Sequence, residues 1–333
     1  MTPVGNGAHR PALGLILPAT MQGELPADDG STAGTTRTGA GALAELCRRI
    51  EAVGADSLWA VDHLFWPHPI NECLTTLAVA AAATERLTLG SCILQLPLRQ
   101  PSAVAKQVTS LQHLAEGRFV LGLGVGIHAD EYARAGVDYH RRGRLMDSGI
   151  AALHDAWASA GDPAPEYRQL PASPRVPLWI GGASAAARQR AAAVGDAWIP
   201  LFLSVDEYGP ALDALRRETA QAGRPPDVVT PGVVVFVHVG DDSEPDGHAH
   251  RRGSEWLSEL YGLPTKAFHR HLVAGPADAC AAQLLRFARA GARHVIVMVA
   301  GTGALAHFTA LRAAFAATTS TTSTTGAVSV GVT

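Results

Sequence analysis

Two adjacent polar residues, Asp62 and His63, follow the apolar segment 57–61 and have the side chains best suited to chemistry. A carboxylate beside an imidazole can fix the tautomer of the ring and tune its proton affinity, which suits proton transfer near neutral pH. Asp62 could equally serve as a structural cap that accepts hydrogen bonds from loop N–H groups. The local sequence leaves both interpretations open and makes Asp62 and His63 candidate catalytic residues.

Small residues end the next apolar segment, at Ser91-Cys92-Ile93, directly after Gly90. Such a strand end permits a bulge or the close approach of a ligand, although an ordinary buried strand explains it as well. The segment after it carries alternating glycines, Gly122, Gly124 and Gly126. Because this is not G-x-G-x-x-G spacing and no matched acidic residue follows, we reject a Rossmann-type dinucleotide site. Alternating glycines instead clear one strand face, against which a planar ring could lie.

A further apolar segment ends in Gly181, Gly182, Ala183 and Ser184, where the pattern predicts the start of a helix. Free N–H groups at a helix N-terminus bind phosphate, and glycines let the phosphate come close. Ser184 is also a typical N-cap residue. The two interpretations are compatible, so these four residues are candidates for phosphate binding.

Other polar residues give weaker signals. Glu72 and Glu131 could act as acids in the same site as Asp62 and His63, but an isolated glutamate is more often a solvated charge. Two H-x-H pairs have no carboxylate or cysteine at ligand spacing, so we predict no metal site: His248 with His250, and His269 with His271. The four cysteines are scattered and indicate neither a disulfide framework nor a zinc site.

Short apolar segments alternate with longer Ala-rich helical segments along the chain. The predicted strands are 12–17, 57–61, 87–93, 119–123, 177–181, 197–200, 232–239 and 293–299. The predicted helices are 40–53, 74–84, 102–115, 143–159, 184–194, 206–222, 276–290 and 303–317. This alternation predicts an α/β fold, a single (β/α)₈ TIM barrel, with a doubly wound open sheet as the alternative.

The barrel prediction assigns residues 1–317 to one domain and 318–333, which is rich in Thr, Ser, Gly and Val, to a disordered low-complexity tail. Two polar segments, 19–39 and 240–275, are expected to be insertions at the C-terminal face, with a short helix possible near 251–261. Active sites of TIM barrels form at that face, where the residues that follow each strand meet. The pattern therefore brings Asp62, His63 and the glycine-rich strand ends together.

Composition excludes several other classes of protein. The net charge of −3 does not resemble that of a nucleic-acid-binding protein. No stretch approaches the roughly 20 apolar residues of a transmembrane helix. The basic pair His9-Arg10 before the apolar segment 12–17 could mimic a short signal peptide, but a first barrel strand explains that segment equally well. We therefore expect a cytoplasmic protein without membrane or nucleic-acid partners.

These motifs together resemble the luciferase-like monooxygenase superfamily, in particular its deazaflavin-dependent branch. The resemblance covers roughly residues 40–200. It is carried by the segments 51–64, 80–90, 97–101, 105–107, 117–119, Glu131, 136–137, 142–144, 177–182 and 195–198. The last third of the chain agrees with the family only in outline.

The resemblance implies a coenzyme, F420, with its ring at the barrel mouth and its phosphate near Gly181 to Ser184. It implies that His63 lies near the hydride-carrying carbon. It also implies a non-proline cis peptide bond at Cys92–Ile93, behind the ring. The sugar-phosphate dehydrogenases of this branch have a Glu where this chain has Ile127, followed by His128. A sugar-phosphate substrate is therefore in doubt, and His128 becomes a candidate proton donor.

The leading functional hypothesis is an F420-dependent oxidoreductase that transfers a hydride between the deazaflavin ring and a small organic substrate. The alternatives are an FMN-dependent two-component monooxygenase on the same fold and a non-catalytic flavin-binding protein. The substrate itself is not readable, because it depends on the loops 19–39 and 240–275.

The helix 74–84 reads LTTLAVAAAAT and is apolar nearly all the way round, whereas an outer barrel helix needs a polar stripe toward water. The helix 102–115 carries Val104, Val108, Leu111 and Leu114 on more than one side. Many members of the resembled family dimerise through this part of the barrel. We predict a homodimer through these two helices, unless another segment of the same chain covers them.

Overall fold

Strands and helices alternate along the chain in a computed structural model that describes residues 10–18, 39–160, 169–172, 175–241 and 247–324. The strands in these residues are β1 (Ala12–Ile16), β2 (Ser57–Ala60), β3 (Thr88–Ser91), β4 (Leu94–Gln95), β5 (Phe119–Gly124), β6 (Leu178–Gly181), β7 (Ala197–Ile199), β8 (Thr230–Val239), β9 (Leu272–Gly275) and β10 (His294–Val299). Each of the eight predicted strands is present.

Eight of these strands close into a parallel barrel. Neighbours pair in the order β1, β2, β3, β5, β6, β7, β8 and β10, and β10 pairs back with β1. The short strand β4 pairs with β5, and β9 pairs with the end of β8. Closure confirms the TIM barrel, and the doubly wound open sheet is wrong because that sheet has free edges.

The helices are α1 (Ala40–Ala52), α2 (Cys73–Ala83), α3 (Pro101–Leu114), α4 (Ala129–Arg134), α5 (Arg142–Ala160), α6 (Ala185–Val194), α7 (Val205–Gln221), α8 (His248–Tyr261), α9 (Ala277–Arg289) and α10 (Ala304–Thr324). All the predicted helices are present, and α4 was not predicted. In this described part of the chain, no helix is both long and apolar enough to cross a membrane.

Helix α10 corrects the boundary of the predicted tail, because it continues through Thr324 and not only to residue 317. The Thr318 hydroxyl donates to the Ala314 carbonyl (2.9 Å), one turn earlier in the same helix. Residues 325–333, like the loop 19–38, lie outside the described residues. Their predicted disorder stays a prediction.

Aromatic side chains fill the barrel interior. Trp59 of β2 and Trp179 of β6 lie with ring centroids 5.1 Å apart. Gly14 and Gly90 make room for Trp59, since a Cβ atom at either position would approach its side chain within 2.7 Å or less. The Trp59 indole N–H donates to the Ser57 hydroxyl, which lies 2.7 Å from the Nε2 atom of His294. Side chains therefore fill the barrel interior around Trp59.

The described residues of the insertion, 240–241 and 247–275, lie beside the carboxyl-terminal end of β8 and contain a helix and a strand that their polar sequence did not suggest in full. Helix α8 begins at His248, three residues before the predicted start, and buries Leu257 and Leu260 in the same apolar cluster as the barrel interior. Buried positions recur along α8 at helical spacing, whereas its charged residues face outward. Strand β9 was missed because it lies within the polar segment 240–275, which was assigned as a loop.

The apolar residues that motivated the homodimer prediction are largely covered by the chain itself. Ala81 on α2 and Val104, Val108 and Leu111 on α3 are all buried against neighbouring elements. Leu114 (62% exposed) and Ala82 remain exposed, and Ala78, Val79 and Ala83 are partly exposed. The homodimer stays a prediction, but intrachain packing explains most of the pattern on which it was based.

Candidate active site

The imidazole of His63 and the carboxylate of Glu131 meet at the barrel mouth. His63 follows β2 and Glu131 lies on α4, just after β5. The Nδ1 atom of His63 is 3.0 Å from Oε2 of Glu131. Because the ionised carboxylate can only accept, Nδ1–H must donate, and neutral His63 then carries its free electron pair on Nε2. The pair therefore holds one tautomer, with Nε2 as the proton-accepting atom.

Glu131 is almost completely buried, with 1% of its side chain exposed. Its Oε1 accepts hydrogen bonds from the backbone N–H groups of Leu64 (2.7 Å) and Phe65 (3.4 Å). Its Oε2 also accepts from the side-chain amide of Gln95 (3.0 Å). Burial acts to raise the pKa of Glu131, but the bonds from His63 and Gln95 outweigh it and lower that pKa. Glu131 is thus a carboxylate that can stabilise a protonated imidazole.

Gln95 forms hydrogen bonds with both Asp62 and Glu131 and was not identified from the sequence. Its backbone N–H donates to Oδ2 of Asp62 (2.9 Å), and its side-chain amide donates to the Asp62 carbonyl (3.0 Å). A Cβ atom on Gly126 would lie 1.8 Å from Oε1 of Gln95. Gly126, at φ +67°, therefore lets its loop lie directly against the buried amide.

Asp62 forms a buried ion pair with Arg99. The guanidinium contacts Oδ1 of Asp62 directly and lies 3.5 Å from Oε1 of Glu72. Burial raises the pKa of Asp62, while the positive charge of Arg99 and the Gln95 N–H oppose that shift. Both carboxylate oxygens are engaged by these partners, which is the cap arrangement that the sequence left open. Asp62 holds the loop that carries His63.

Two more rings surround His63. Trp66 stacks on it, with centroids 3.9 Å apart and an interplanar angle of 20°. His128 meets the Trp66 ring edge-on at 4.9 Å, and its own centroid is 5.9 Å from that of His63. Its Nε2 atom is buried and has no hydrogen-bond partner within the described residues. Burial, and then the nearby His63, lower the pKa of His128, so its ring is neutral.

Strand β3 ends at Ser91 and is followed by an irregular segment, Ser91-Cys92-Ile93, which we call the bulge. The peptide bond Cys92–Ile93 is cis, as the resemblance implied. The Ser91 hydroxyl is fully buried and donates to the Gly122 carbonyl (2.8 Å). Burial raises the pKa of the Cys92 thiol to about 12, so this cysteine is protonated and is not a nucleophile.

The glycines around this bulge accommodate protein atoms, and they do not leave an open strand face as expected. A Cβ atom on Gly122 would lie 1.8 Å from the Ser91 carbonyl oxygen. Cβ atoms on Gly124 and Gly181 would lie 2.6 Å and 2.5 Å from the Ile93 side chain. Gly124 and Gly181 therefore allow the Ile93 side chain to pack against the strands.

The loop after β6 presents the first turn of α6 at the surface. Ser184 is its N-cap, and the hydroxyl accepts from the Ala187 N–H (3.2 Å). The preceding Gly182 has φ +108°, and its carbonyl accepts from the Trp198 indole (2.9 Å). The first N–H groups of a helix have no intrahelical partner. Since Ser184 and Ala185 are exposed, this turn suits a phosphate group.

An aromatic cluster joins the insertion to the barrel. Tyr261 and Phe268 of the insertion, Phe202 after β7 and Phe236 of β8 lie within 6.2 Å of one another, centroid to centroid. Tyr261 also lies 6.2 Å from Trp66. The aromatic cluster therefore continues to the Trp66 ring that stacks on His63.

Comparison with known proteins agrees with this geometry. The family model described as luciferase-like monooxygenase matches residues 22–246. A phthiodiolone/phenolphthiodiolone dimycocerosates ketoreductase of Mycobacterium bovis (strain BCG / Pasteur 1173P2) is 26% identical over 262 residues, which cover 68% of each chain.

Two solved structures share the fold. An F420-dependent secondary alcohol dehydrogenase, in complex with an F420-acetone adduct, superposes with a TM-score of 0.74 at 16% identity, over 92% of this chain and 99% of that one. The oxygenating constituent of 3,6-diketocamphane monooxygenase from the CAM plasmid of Pseudomonas putida, in complex with FMN, gives 0.65 at 15% identity, over 91% and 96%.

Proposed function

The chain belongs to the luciferase-like monooxygenase family, and we propose that it is an oxidoreductase that uses coenzyme F420 to move a hydride to or from a small organic substrate. The observation that carries this proposal is the buried His63–Glu131 pair. Hydride transfer at a carbon–oxygen bond needs a proton to enter or leave at the oxygen, and an imidazole held by a carboxylate is suited to this task.

The residues at the mouth fit such a coenzyme. The loop from Gly181 to Ser184 and the first turn of α6 that follows it offer N–H groups to a phosphate. The bulge at Ser91-Cys92-Ile93 offers a rigid wall for the ring. A deazaflavin bound there would supply a carbon that accepts or gives a hydride and that reacts poorly with oxygen.

The chain's own residues then handle the proton. In the oxidation of an alcohol, Nε2 of His63 takes the hydroxyl proton, and Glu131 stabilises the imidazolium that results. In the reverse direction the protonated His63 gives that proton to the carbonyl oxygen. Gln95 and Asp62 hold the loops that carry His63 and Glu131. The imidazole ring of His63 is therefore already oriented when the substrate arrives.

The names of two relatives support the reaction class. A ketoreductase and a secondary alcohol dehydrogenase both transfer hydride at a carbon–oxygen bond. The second candidate is an FMN-dependent two-component monooxygenase, which is favoured by the FMN-bound neighbour. A non-catalytic flavin-binding protein is the least favoured, because a buried carboxylate kept beside a histidine has no role in simple binding.

Titration of the purified protein with F420 and, separately, with FMN tests the proposal. Quenching of tryptophan fluorescence reports binding, because Trp66 lies at the mouth. We expect F420 to bind at least about tenfold more tightly than FMN. Tighter binding of FMN would favour the monooxygenase, and failure of both to bind would contradict the proposal.

A further inference from the structure

One segment of the chain, Gln95–Arg99, holds the Asp62 carboxylate at both of its oxygens. The guanidinium of Arg99 contacts Oδ1, and its Nε atom donates to Oδ2 (3.4 Å). The backbone N–H of Gln95 also donates to Oδ2 (2.9 Å). A buried 3₁₀ turn, Leu96–Leu98, lies between these two donors. We call Gln95–Arg99 the clamp segment.

The clamp segment also holds the carboxylate partner of His63. The side-chain amide of Gln95 donates to Oε2 of Glu131 (3.0 Å), the same oxygen that accepts from Nδ1 of His63. The hydrogen bond at one ring nitrogen of a histidine decides which nitrogen carries the proton. A shift of the clamp segment would therefore move the group that selects the tautomer of His63.

Arg99 brings a positive charge to a group of buried carboxylates. Its side chain is 12% exposed, whereas those of Asp62 and Glu131 are 0% and 1% exposed. A guanidinium stays protonated in a protein, so a neutral Asp62 would leave a largely buried cation without its direct partner. The Oε1 atom of Glu72, 3.5 Å from the same guanidinium, adds a further negative charge. Arg99 therefore keeps Asp62 ionised and able to accept from the clamp segment.

We infer that Arg99 is a positioning residue for the proton transfer at His63. Arg99 holds Asp62, and the clamp segment carries that restraint to Glu131. Glu131 in turn holds the Nδ1–H group of His63, so the ion pair at one end preserves the tautomer at the other. This inference rests on the proposed function for the role of His63, but the tautomer is a property of the protein without coenzyme.

Nitrogen NMR of the coenzyme-free protein with isotope-labelled histidine tests this link. The signals of His63 are identified by their loss in His63→Gln, and we expect the Nδ1–H tautomer in the wild type at pH 8. Arg99→Met should populate the Nε2–H tautomer as well, whereas Arg99→Lys, which keeps the charge, should resemble the wild type. An unchanged tautomer in Arg99→Met would overturn the inference, whichever coenzyme the protein binds.

A double variant tests whether Arg99 acts through Asp62. In Arg99→Met with Asp62→Asn, no buried charge is left unpaired, and an amide oxygen still accepts from the Gln95 N–H. We therefore expect this double variant to regain the Nδ1–H tautomer that Arg99→Met loses. It also keeps the test decisive if Arg99→Met alone does not fold, because a folded double variant without that tautomer would contradict action through Asp62.

Rates of ketone reduction by reduced F420 give a second readout. We expect Arg99→Met to lower kcat about tenfold or more, with the Kd of F420 within about threefold of wild type, because the ring of His63 is misplaced and the phosphate-binding turn is not. Arg99→Lys and the double variant should each recover most of that loss. Equal kcat in Arg99→Met and wild type would contradict the inference.

Arg190→Met is the matched control. Arg190 is also largely buried, at 10% exposure, and its Nε atom lies 2.6 Å from Oδ1 of Asp147, between α5 and α6. This variant should leave the tautomer of His63 unchanged and kcat within about twofold of wild type. A similar loss of tautomer in Arg190→Met would show a general effect of broken ion pairs and would overturn the inference. Failure of wild-type protein to bind F420 would instead contradict the proposed function.

Discussion

The Nδ1 atom of His63 lies 3.0 Å from Oε2 of Glu131, although the two residues are 68 positions apart in the chain. The carboxylate is buried and accepts three further hydrogen bonds, so it is fixed before any ligand binds. This pair makes one nitrogen of His63 a donor to the protein and leaves the other for the substrate. The chemistry that we propose depends on that division.

Replacement of His63 by Ala removes the proton-transferring group without touching the phosphate-binding turn. We expect turnover to fall by roughly 10²–10⁴, with the Kd of the coenzyme within about tenfold of wild type. Steady-state rates and fluorescence titration measure the two effects. His113→Ala, at an exposed position on α3, is the control and should change neither. Unchanged turnover in His63→Ala would remove this residue from the mechanism.

Gly126 and Gly136 form a matched pair that tests the role of Gln95. Both have positive φ, +67° and +70°, so alanine at either position costs about 1–2 kcal/mol of stability. A Cβ atom at 126 would also lie 1.8 Å from Oε1 of Gln95, whereas one at 136 meets nothing within 4 Å. Gly126→Ala should therefore lower kcat roughly tenfold or more beyond any effect of Gly136→Ala, because it displaces the amide that holds Glu131. Equal rates in the two variants would show that Gln95 does not position the site.

Most of the fold could be predicted from the sequence pattern, whereas part of the candidate site could not. Alternating apolar and Ala-rich segments predicted the eight barrel strands, and Asp62 with His63 predicted the mouth. Gln95 was missed, although one polar residue within the apolar run 93–98 is a signal in retrospect. Its partner Glu131 is 36 residues away, and only the three-dimensional fold brings the two side chains together.

The glycines show a second limit of the sequence. The sequence led us to expect an open strand face for a ring at Gly124 and a close approach of a phosphate at Gly181. In the structure the Ile93 side chain occupies that space. Small residues in a sequence indicate that another group comes close to the backbone. Only the packing of the folded chain shows whether that group belongs to the protein or to a ligand.

Ala185 offers a test of the phosphate-binding turn that leaves the helix intact. A glutamate in the first turn of α6 is favourable for the helix dipole, yet it repels a phosphate at the same N–H groups. Ala185→Glu should weaken binding of F420 by about tenfold or more while keeping or raising the thermal midpoint. Ala185→Gln, which matches the size without the charge, should bind within about threefold of wild type. Equal affinity of the two variants would contradict a phosphate at this turn.

The buried His294 and the partly buried His307 predict a loss of stability in acid. Burial lowers the pKa of His294 and of His307 to about 4, with His238 and Arg252 adding to the shift at His307. The ordinary pKa of about 6.5 applies in the unfolded chain, which therefore binds more protons between those values. Stability is present above pH 6.5 and is lost as the pH falls toward 4, by roughly 2 kcal/mol for each histidine between pH 7 and pH 5.

Urea denaturation at pH 7 and pH 5 measures that loss. His307→Gln is the informative variant, because a side-chain oxygen can replace Nδ1 as the acceptor for the Val239 N–H without titrating. The fall in the free energy of unfolding between the two pH values should shrink by about half in this variant. An identical fall in variant and wild type would show that His307 is not responsible.

The most direct test of the central claim is a single turnover without oxygen. Protein loaded with reduced F420 is mixed with a ketone under nitrogen, and oxidation of the coenzyme and formation of the alcohol are followed together. We predict that the two appear in a one-to-one ratio at the same rate with and without oxygen, and that His63→Ala slows both roughly 10²–10⁴-fold. A reaction that proceeds only with oxygen, or only with reduced FMN, would contradict an F420-dependent hydride transfer at this site.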